Sequence, residues 1–301
     1  MAAATPIICE VAPRDGFQSI ANPLPTEAKI GIIRDLAAAG CPRIELGSFV
    51  SPKAVPQMAD MAEIVEGTRD LPAELAALVP NLRGAENALK AGLRQIVYVF
   101  SVSQAHNLNN VRQTVAQSLT GLDEIVKALP KGTFLRVDLA TAFDCPFDGG
   151  VPLMDLVEAV KQVAAIAPNA ELALCDTTGR ANPFDVARRF DTVQMLPETA
   201  GNTWAFHGHN TFGQGVANAL AAWQSGVRVF DTAAAGLGGC PFAPGATGNT
   251  ATEDLVFAFN EGGRSTGIDL PRLLDVADRI AALPGGVTGS HLRHVPRGRA
   301  A

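Results

Sequence analysis

The chain has 301 residues, of which 47% are hydrophobic, 18% charged and 6% aromatic. Gly and Pro together stay below the fraction typical of low-complexity sequence, so this composition excludes a disordered chain, a collagen-like chain and a coiled coil. The 24 basic and 30 acidic residues give a net charge of −6, and we expect no nucleic-acid partner because phosphate binding needs clustered Lys and Arg.

Short apolar runs alternate with longer amphipathic segments along the chain, which is typical of alternating strands and helices. The predicted strands are Pro6–Ala12, Arg43–Gly47, Leu75–Val79, Gln95–Ser101, Thr133–Ala140, Glu171–Cys175, Thr203–Phe206 and Val227–Thr232. The predicted helices are Thr26–Ala39, Ala59–Thr68, Ala85–Ala91, Val111–Leu129, Leu153–Ala167, one opening at Pro183, Gly215–Ser225, one opening near Thr252, and Leu270–Leu283.

Eight strand–helix units in a chain of this length predict an α/β fold, a closed (β/α)8 TIM barrel with a short C-terminal helical extension. An open, doubly wound sheet is the alternative architecture. No shift in composition marks a second domain. We therefore expect one catalytic barrel over residues 6–283 and a tail over residues 284–301.

Polar side chains follow the predicted strands at the end where a barrel of this type carries its active site. Arg14 and Asp15 follow the first strand, and Glu45 ends the second. Further along the chain, strand ends deliver Asp176, His207, His209 and Asn249. Acidic residues with purely structural roles would be scattered over helix faces, so this grouping predicts a site on one rim.

His207 and His209 are two residues apart on an extended segment, so both imidazoles point to the same side. Together with Asp15 and possibly the amide oxygen of Asn249, they predict a divalent metal site. This mixed nitrogen and oxygen set suits Mg²⁺ or Mn²⁺, although Co²⁺ or Zn²⁺ would also fit. Beside such a site Arg14 would stabilise developing negative charge. Glu45 would be a proton shuttle, an orienter of Arg14 or its structural ion-pair partner.

The segment 236–249 contains five glycines, which allow unusual backbone angles and a mobile loop, and its Cys240 is a candidate reactive thiol. The other four of the five cysteines form no CxxC pair, which favours reduced thiols and a cytoplasmic protein. The start of the sequence lacks the features of a signal peptide, and no apolar stretch approaches the roughly 18 residues of a membrane span. We expect a soluble protein with no membrane partner.

Several segments resemble the 3-hydroxy-3-methylglutaryl-CoA (HMG-CoA) lyase family of metal-dependent barrel lyases. The resemblance extends over about residues 6–283, and the loop Gly-Leu-Gly-Gly-Cys-Pro with the downstream Gly-Asn-Thr-Ala-Thr-Glu-Asp is its most specific part. The segments that carry it are residues 10–18, 44–53, 55–60, 235–243 and 245–255.

The resemblance implies that Asp15, His207, His209 and Asn249 hold the metal. It implies catalytic roles for the residues Arg14, Glu45, Asp176, His207 and Cys240. The implied reaction is retro-Claisen cleavage of HMG-CoA to acetyl-CoA and acetoacetate, as in leucine catabolism and ketone-body metabolism. The implied partners are an acyl-CoA substrate and a second copy of the chain, in a homodimer or larger homo-oligomer.

The sequence departs from the family pattern near the expected acyl-CoA site, at residues 18–21, at Ala54 and over residues 103–107. The acyl group is therefore open, and a lyase for citramalyl-CoA or a longer 3-hydroxyacyl-CoA is the main alternative. A condensing synthase of the same superfamily is less favoured, since such enzymes carry additional domains. A non-catalytic metal-binding or scaffold protein is the alternative from a different functional class.

Overall fold

The computed structural model describes residues 5–239 and 248–300. Eight parallel strands form a closed barrel in which each strand pairs with its neighbours in sequence and the last pairs with the first. These strands are β1 (Ile7–Glu10), β2 (Arg43–Ser48), β3 (Glu74–Val79), β4 (Gln95–Ser101), β5 (Phe134–Ala140), β6 (Glu171–Asp176), β7 (Thr203–Gly208) and β8 (Val229–Thr232). The predicted (β/α)8 barrel is confirmed, and the open sheet is excluded.

Helices surround the barrel and cover the outward faces of the strands. They are α1 (Thr26–Ala38), α2 (Met61–Thr68), α3 (Leu82–Lys90), α4 (Gln104–Val111), α5 (Val115–Ala128), α6 (Leu153–Ile166), α7 (Pro183–Gln194), α8 (Gly215–Gln224), α9 (Thr252–Glu261) and α10 (Leu270–Ala281). Within the described ranges, none of the helices combines the length and the hydropathy of a membrane-spanning segment.

One predicted helix differs in the structure. The segment predicted as one helix over Val111–Leu129 starts at the last residue of α4 and contains all of α5, and Arg112 between these two helices is in the left-handed conformation with φ 58°. Each helix has its own N-cap, since Ser103 accepts a hydrogen bond from the His106 amide and Thr114 forms a capping box with Gln117. Two capping hydroxyls stabilise two helix starts, and this local chemistry overrides the apolar periodicity.

The C-terminal extension packs against the barrel through α9 and α10. Asp254 accepts backbone hydrogen bonds from His291 and Leu292 at 2.9 Å and 2.8 Å. Arg293 and Arg297 form ion pairs with Asp278 on α10. The extension ends in the short helix Arg297–Ala300. The division at residue 283 stays a prediction.

The barrel interior is charged rather than uniformly apolar. Arg43 on β2 contacts Glu171 on β6 at 2.7 Å, and Arg136 on β5 contacts Asp231 on β8 at 2.8 Å. Neither pair lies on neighbouring strands, so both contacts must cross the interior. Ala76, Leu78 and Val97 form a small separate apolar cluster. Charge inside the barrel is therefore concentrated away from β3 and β4.

The outward face of the sheet is held by aromatic packing against α7. Phe190 is fully buried and packs edge-on against Trp204 and Phe206, with ring centroids 6.1 Å and 6.2 Å apart. We expect Phe190→Ala to destabilise the fold by about 3–5 kcal/mol, because it deletes a fully buried ring.

Phe184 on the same helix is the matched control, since it is 87% exposed. Phe184→Ala should change the free energy of unfolding by less than about 0.5 kcal/mol. Urea unfolding followed by circular dichroism measures both variants, and equal losses would contradict the packing described for α7.

Candidate active site

The site begins where β1 ends. Residues Ala12–Gly16 form a single turn of π-helix in which three successive amides, of Arg14, Asp15 and Gly16, all point at the Val11 carbonyl. Such turns are rare in proteins, and many of those that occur lie at functional sites. This turn brings the side chains of Arg14 and Asp15 to the carboxyl end of the barrel.

Arg14 connects two carboxyl groups on different elements. Its Nε donates to Glu45 Oε2 at 2.9 Å, and its Nη1 donates to Asp15 Oδ1. Burial alone would lower the pKa of Arg14, but the two carboxylates raise it further above its usual range, so Arg14 stays charged. Glu45 thus forms an ion pair with Arg14, and its role as a proton shuttle stays a prediction.

His207 and His209 lie at the end of β7 with their imidazoles on the same side, as the spacing predicted. Their Nε2 atoms are 3.2 Å apart, and His209 Nε2 is 3.7 Å from Asp15 Oδ2. One potential ligand atom from each of Asp15, His207 and His209 lies within 4.8 Å of the others. The three residues that the sequence placed on one rim therefore converge.

Asn249 joins this cluster through its amide. Its Nδ2 donates to Asp15 Oδ2 at 2.8 Å and to the Leu237 carbonyl at 3.0 Å. Its Oδ1 is buried and has no hydrogen-bond partner among the described residues, and the same holds for His209 Nδ1. A buried polar atom without a partner is costly, so the Asn249 oxygen is available to a ligand.

The residues fit a divalent cation. Two imidazole nitrogens 3.2 Å apart match neighbouring ligands of one ion, since ligands at about 2.1 Å and at right angles lie about 3 Å from each other. Among the described residues of the interior and rim, the three guanidinium groups of Arg14, Arg43 and Arg136 are outnumbered by the carboxyl groups, which include those of Asp15, Glu45, Asp138, Glu171 and Asp231. The excess of acidic groups favours a bound cation.

A second layer behind His207 was missed by the sequence reading. His207 Nδ1 lies 3.0 Å from Asp231 Oδ2, and Asp231 also accepts two hydrogen bonds from Arg136. Arg136 Nε in turn donates to Asp138 at 2.6 Å. The signal was present in the sequence, because charged residues interrupt the apolar strands β5 and β8, but a strand pattern does not reveal which side chains meet.

This layer sets the tautomer and the charge of His207. Burial alone would lower the pKa of His207, but the Asp231 carboxylate outweighs burial and raises it. Burial also opposes ionisation of Asp231, yet Arg136 and His207 hold its pKa well below the usual range. In the neutral imidazole the proton stays on Nδ1, which faces the carboxylate, so the lone pair of the neutral form is on Nε2 and faces the cluster.

Asp15 is held as a carboxylate. Burial alone would raise its pKa, but Arg14 and the two histidines lower it well below the usual range. Glu45 differs, because burial raises its pKa to about 7 against the opposing effect of Arg14. Glu45 Oε1 is buried without a hydrogen-bond partner in the described chain. One rim thus carries a permanent anion and a carboxyl group that gains or loses a proton near neutral pH.

Asp176 ends β6, beside Gly208 in the strand register. Both of its carboxylate oxygens lie 3.2 Å from the Ala181 amide, and within the described ranges its side chain makes no hydrogen bond or ion pair with Arg14, Asp15 or the two histidines. Burial raises its pKa to about 7. Its predicted catalytic role stays a prediction. Cys240, the predicted thiol, lies outside the described residues.

Acidic side chains also occupy the first turn of α9. Glu253 and Asp254 lie there, where a negative charge interacts favourably with the positive end of the helix. In the structure Glu253 accepts from the Ala235 amide, and Thr252 donates to Glu10 Oε2 at 2.6 Å rather than capping the helix.

The layer behind His207 generates a prediction about metal affinity. Asp231→Asn should weaken Mn²⁺ binding about 10-fold to 100-fold, because the carboxylate that orients His207 is lost. Isothermal titration of metal-free protein measures this constant. Asp138→Asn is the matched control, since it removes the same charge beside Arg136 without touching His207. Equal losses in both variants would contradict the orienting role of Asp231.

The raised pKa of Asp176 generates a prediction about pH. Its carboxyl group titrates near pH 7 in the folded chain, above its ordinary value of 3.8, so folding favours the protonated form and this stabilisation is lost as the pH rises through 7. Asp176→Asn should therefore gain stability relative to the wild type between pH 5 and pH 8. Urea unfolding at pH 5 and at pH 8 measures the difference in free energy of unfolding between Asp176→Asn and the wild type. The same difference at both pH values would contradict the assignment.

Comparison with known proteins places the chain among enzymes. A family model described as HMGL-like matches residues 5–280. The chain is 43% identical over 291 residues to the (R)-citramalyl-CoA lyase of Chloroflexus aurantiacus, covering 92% of this chain and 90% of that protein. It is 40% identical over 271 residues to the mitochondrial hydroxymethylglutaryl-CoA lyase of Bos taurus, covering 89% and 82%.

Solved structures of HMG-CoA lyases are also similar to this chain. The structure of an HMG-CoA lyase from Acinetobacter baumannii in complex with coenzyme A and 3-methylmalate matches with a TM-score of 0.91 and 42% identity, over 99% of this chain and 97% of that one. The Bacillus subtilis HMG-CoA lyase matches with a TM-score of 0.90 and 36% identity, over 97% of each chain.

Proposed function

This chain belongs to the HMGL-like family, and from that premise we propose its reaction. We propose that it is a divalent-metal-dependent lyase that cleaves HMG-CoA to acetyl-CoA and acetoacetate. The observation that carries the proposal is the convergence of Asp15, His207 and His209 next to the buried Arg14. A cation site beside a fixed guanidinium suits a substrate with a hydroxyl, a carboxylate and a thioester carbonyl on neighbouring carbons.

The metal would be held by Asp15, His207, His209 and Asn249, and Mg²⁺ or Mn²⁺ suits this ligand set. When bound, the ion supplies Lewis-acid chemistry that acidifies the substrate hydroxyl and orients the substrate. Asp231 and Arg136 keep the Nε2 atom of His207 directed at the cluster.

The bond cleavage needs a group that accepts the hydroxyl proton. Glu45 suits this role because its Oε1 is unpartnered and its pKa is raised to about 7. As the hydroxyl loses its proton to Glu45, the carbinol carbon becomes a ketone and the bond to the thioester α-carbon breaks. The bonding pair becomes the enolate of acetyl-CoA. Asp176 remains a second candidate for the proton acceptor.

The enolate then needs a cation and an acid. Arg14 Nη2 makes no hydrogen bond within the described residues, while Nε and Nη1 are fixed by Glu45 and Asp15, so Nη2 is free to donate to the enolate oxygen. Protonation of the enolate α-carbon gives acetyl-CoA and completes the balance without any co-reactant. Cys240 is our proposed donor of this proton.

Citramalyl-CoA is the second candidate substrate, favoured by the 43% identity to a citramalyl-CoA lyase. In both substrates the carbon that becomes the ketone carries a tertiary hydroxyl and a methyl group, and the carboxylate is bonded to that carbon in citramalyl-CoA and separated from it by one CH2 group in HMG-CoA. The same residues can therefore serve either reaction. We further propose that the protein acts in the cytoplasm as a homodimer or larger homo-oligomer, and that residues 6–283 form the catalytic unit.

The function is tested with purified protein, Mn²⁺ and either HMG-CoA or citramalyl-CoA, following acetyl-CoA release. We expect HMG-CoA to be cleaved with the higher kcat/KM, and chelation of the metal to abolish turnover until Mn²⁺ is restored. If neither substrate is turned over, the proposal is contradicted. A higher kcat/KM for citramalyl-CoA than for HMG-CoA would make citramalyl-CoA the assigned substrate.

Arg14→Lys tests the proposed chemistry separately. Lys keeps the charge but cannot hold both carboxylates and the enolate at once, so kcat should fall about 100-fold to 1,000-fold, the usual loss for a donor to a developing oxyanion. The matched control is Arg34→Lys, an exposed arginine paired with Asp70 on the outside of the barrel. Unchanged kcat in Arg14→Lys would contradict the role of the guanidinium.

A further inference from the structure

Two carboxyl groups are fully buried below the site and take no part in the proposed chemistry. Glu10 is the last residue of β1, and Glu253 lies in the first turn of α9. Both are 0% exposed. Neither forms an ion pair with a basic side chain in the ranges 5–239 and 248–300. A buried acid without a cation is costly, so each has a role that outweighs its desolvation.

Glu10 connects three segments of the chain that lead to site residues. Its Oε1 accepts from the Ala12 amide at 2.9 Å and from the Ala234 amide at 3.0 Å. Its Oε2 accepts from the Thr252 hydroxyl at 2.6 Å. Ala12 opens the turn that carries Arg14 and Asp15, Ala234 follows β8, and Thr252 follows Asn249 by three residues.

Glu253 accepts from the amide that follows Ala234, in the turn formed by residues 234–237. Both of its carboxylate oxygens lie 3.1 Å from the Ala235 amide. Ala235 is in the left-handed conformation, with φ 63° and ψ 9°, which an alanine adopts only at a cost of about 1–2 kcal/mol. Two successive amides of a strained turn are therefore each held by a buried carboxyl group.

The turn connects directly to the ligand cluster. It leads to Leu237, whose carbonyl accepts from Asn249 Nδ2 at 3.0 Å, and the same Nδ2 donates to Asp15 Oδ2 at 2.8 Å. Leu237 also packs tightly over Gly16, where a Cβ would lie 2.7 Å from Leu237 Cδ2. The position of the turn thus fixes which way the Asn249 amide points, with its nitrogen on Asp15 and its oxygen unpartnered.

We propose that Glu10 and Glu253 are positioning residues, a pair of buried carboxyl groups that hold the turn 234–237 and through it orient Asn249 and Asp15 toward the metal ion. The inference rests on the proposed function, because it assigns these residues to the proposed metal site. They act through the backbone and through Leu237, and they contact neither substrate nor metal.

Metal affinity of the full-length, metal-free chain tests the inference, with free Mn²⁺ counted by electron paramagnetic resonance during titration. Glu10→Ala should weaken Mn²⁺ binding about 10-fold to 100-fold, the range typical of residues that orient metal ligands. Glu10→Gln should restore most of the affinity, because its amide oxygen can still accept from Ala12 and Ala234. That rescue separates positioning from a need for negative charge.

The matched control is Asp254→Ala. Asp254 neighbours Glu253 and also accepts two backbone amides, but these belong to the C-terminal extension. Asp254→Ala should lower the melting temperature and leave Mn²⁺ affinity within threefold of the wild type, whereas Glu253→Ala should weaken it about 10-fold. Equal affinities in these two variants would overturn the inference.

Other outcomes separate the inference from the function on which it rests. If the wild-type chain binds Mn²⁺ and Glu10→Ala binds it with the same affinity, the inference alone is overturned. If the wild-type chain binds no Mn²⁺, both the inference and the proposed function are overturned. Should Glu10→Ala fail to fold, Thr252→Val removes one of the three donors with little change of shape. It should weaken Mn²⁺ binding at least threefold, and unchanged affinity would overturn the inference.

Discussion

The structure depends on the pairing of charges inside the barrel. From the amino end of the barrel to its carboxyl rim, Arg43, Glu171, Arg136, Asp231 and His207 form a continuous line of contacts. Each charge is removed from water and is tolerable only because the next has the opposite sign. The line ends at the imidazole of His207, so the packing of the interior determines the position of this imidazole in the site.

This constraint explains why neighbouring acids behave differently. Asp15 lies against Arg14 and two imidazoles, which keep its pKa low despite burial. Glu45 shares the same guanidinium but also faces Asp138 and Asp231, and burial with these like charges raises its pKa to about 7. A fixed anion to hold a cation and a carboxyl group that can exchange a proton are two of the components that the proposed carbon–carbon cleavage needs.

Much of this arrangement could be predicted from the sequence. The alternation of strands and helices determined the barrel, and the barrel placed Arg14, Asp15, Glu45, His207 and His209 on one rim, because parallel strands all end there. What the sequence could not show was tertiary contact. Asp231 and Arg136 meet across the interior from non-neighbouring strands. The break at Arg112 depends on two capping side chains that compete with apolar periodicity.

The central claim is that one divalent cation is bound by the two imidazoles at the end of β7. Pulsed electron paramagnetic resonance of the Mn²⁺-loaded chain, prepared with ¹⁵N-labelled histidine, measures this directly. The account predicts hyperfine coupling from two histidine nitrogens, reduced to one in either His207→Ala or His209→Ala. Tight Mn²⁺ binding without histidine coupling would contradict it.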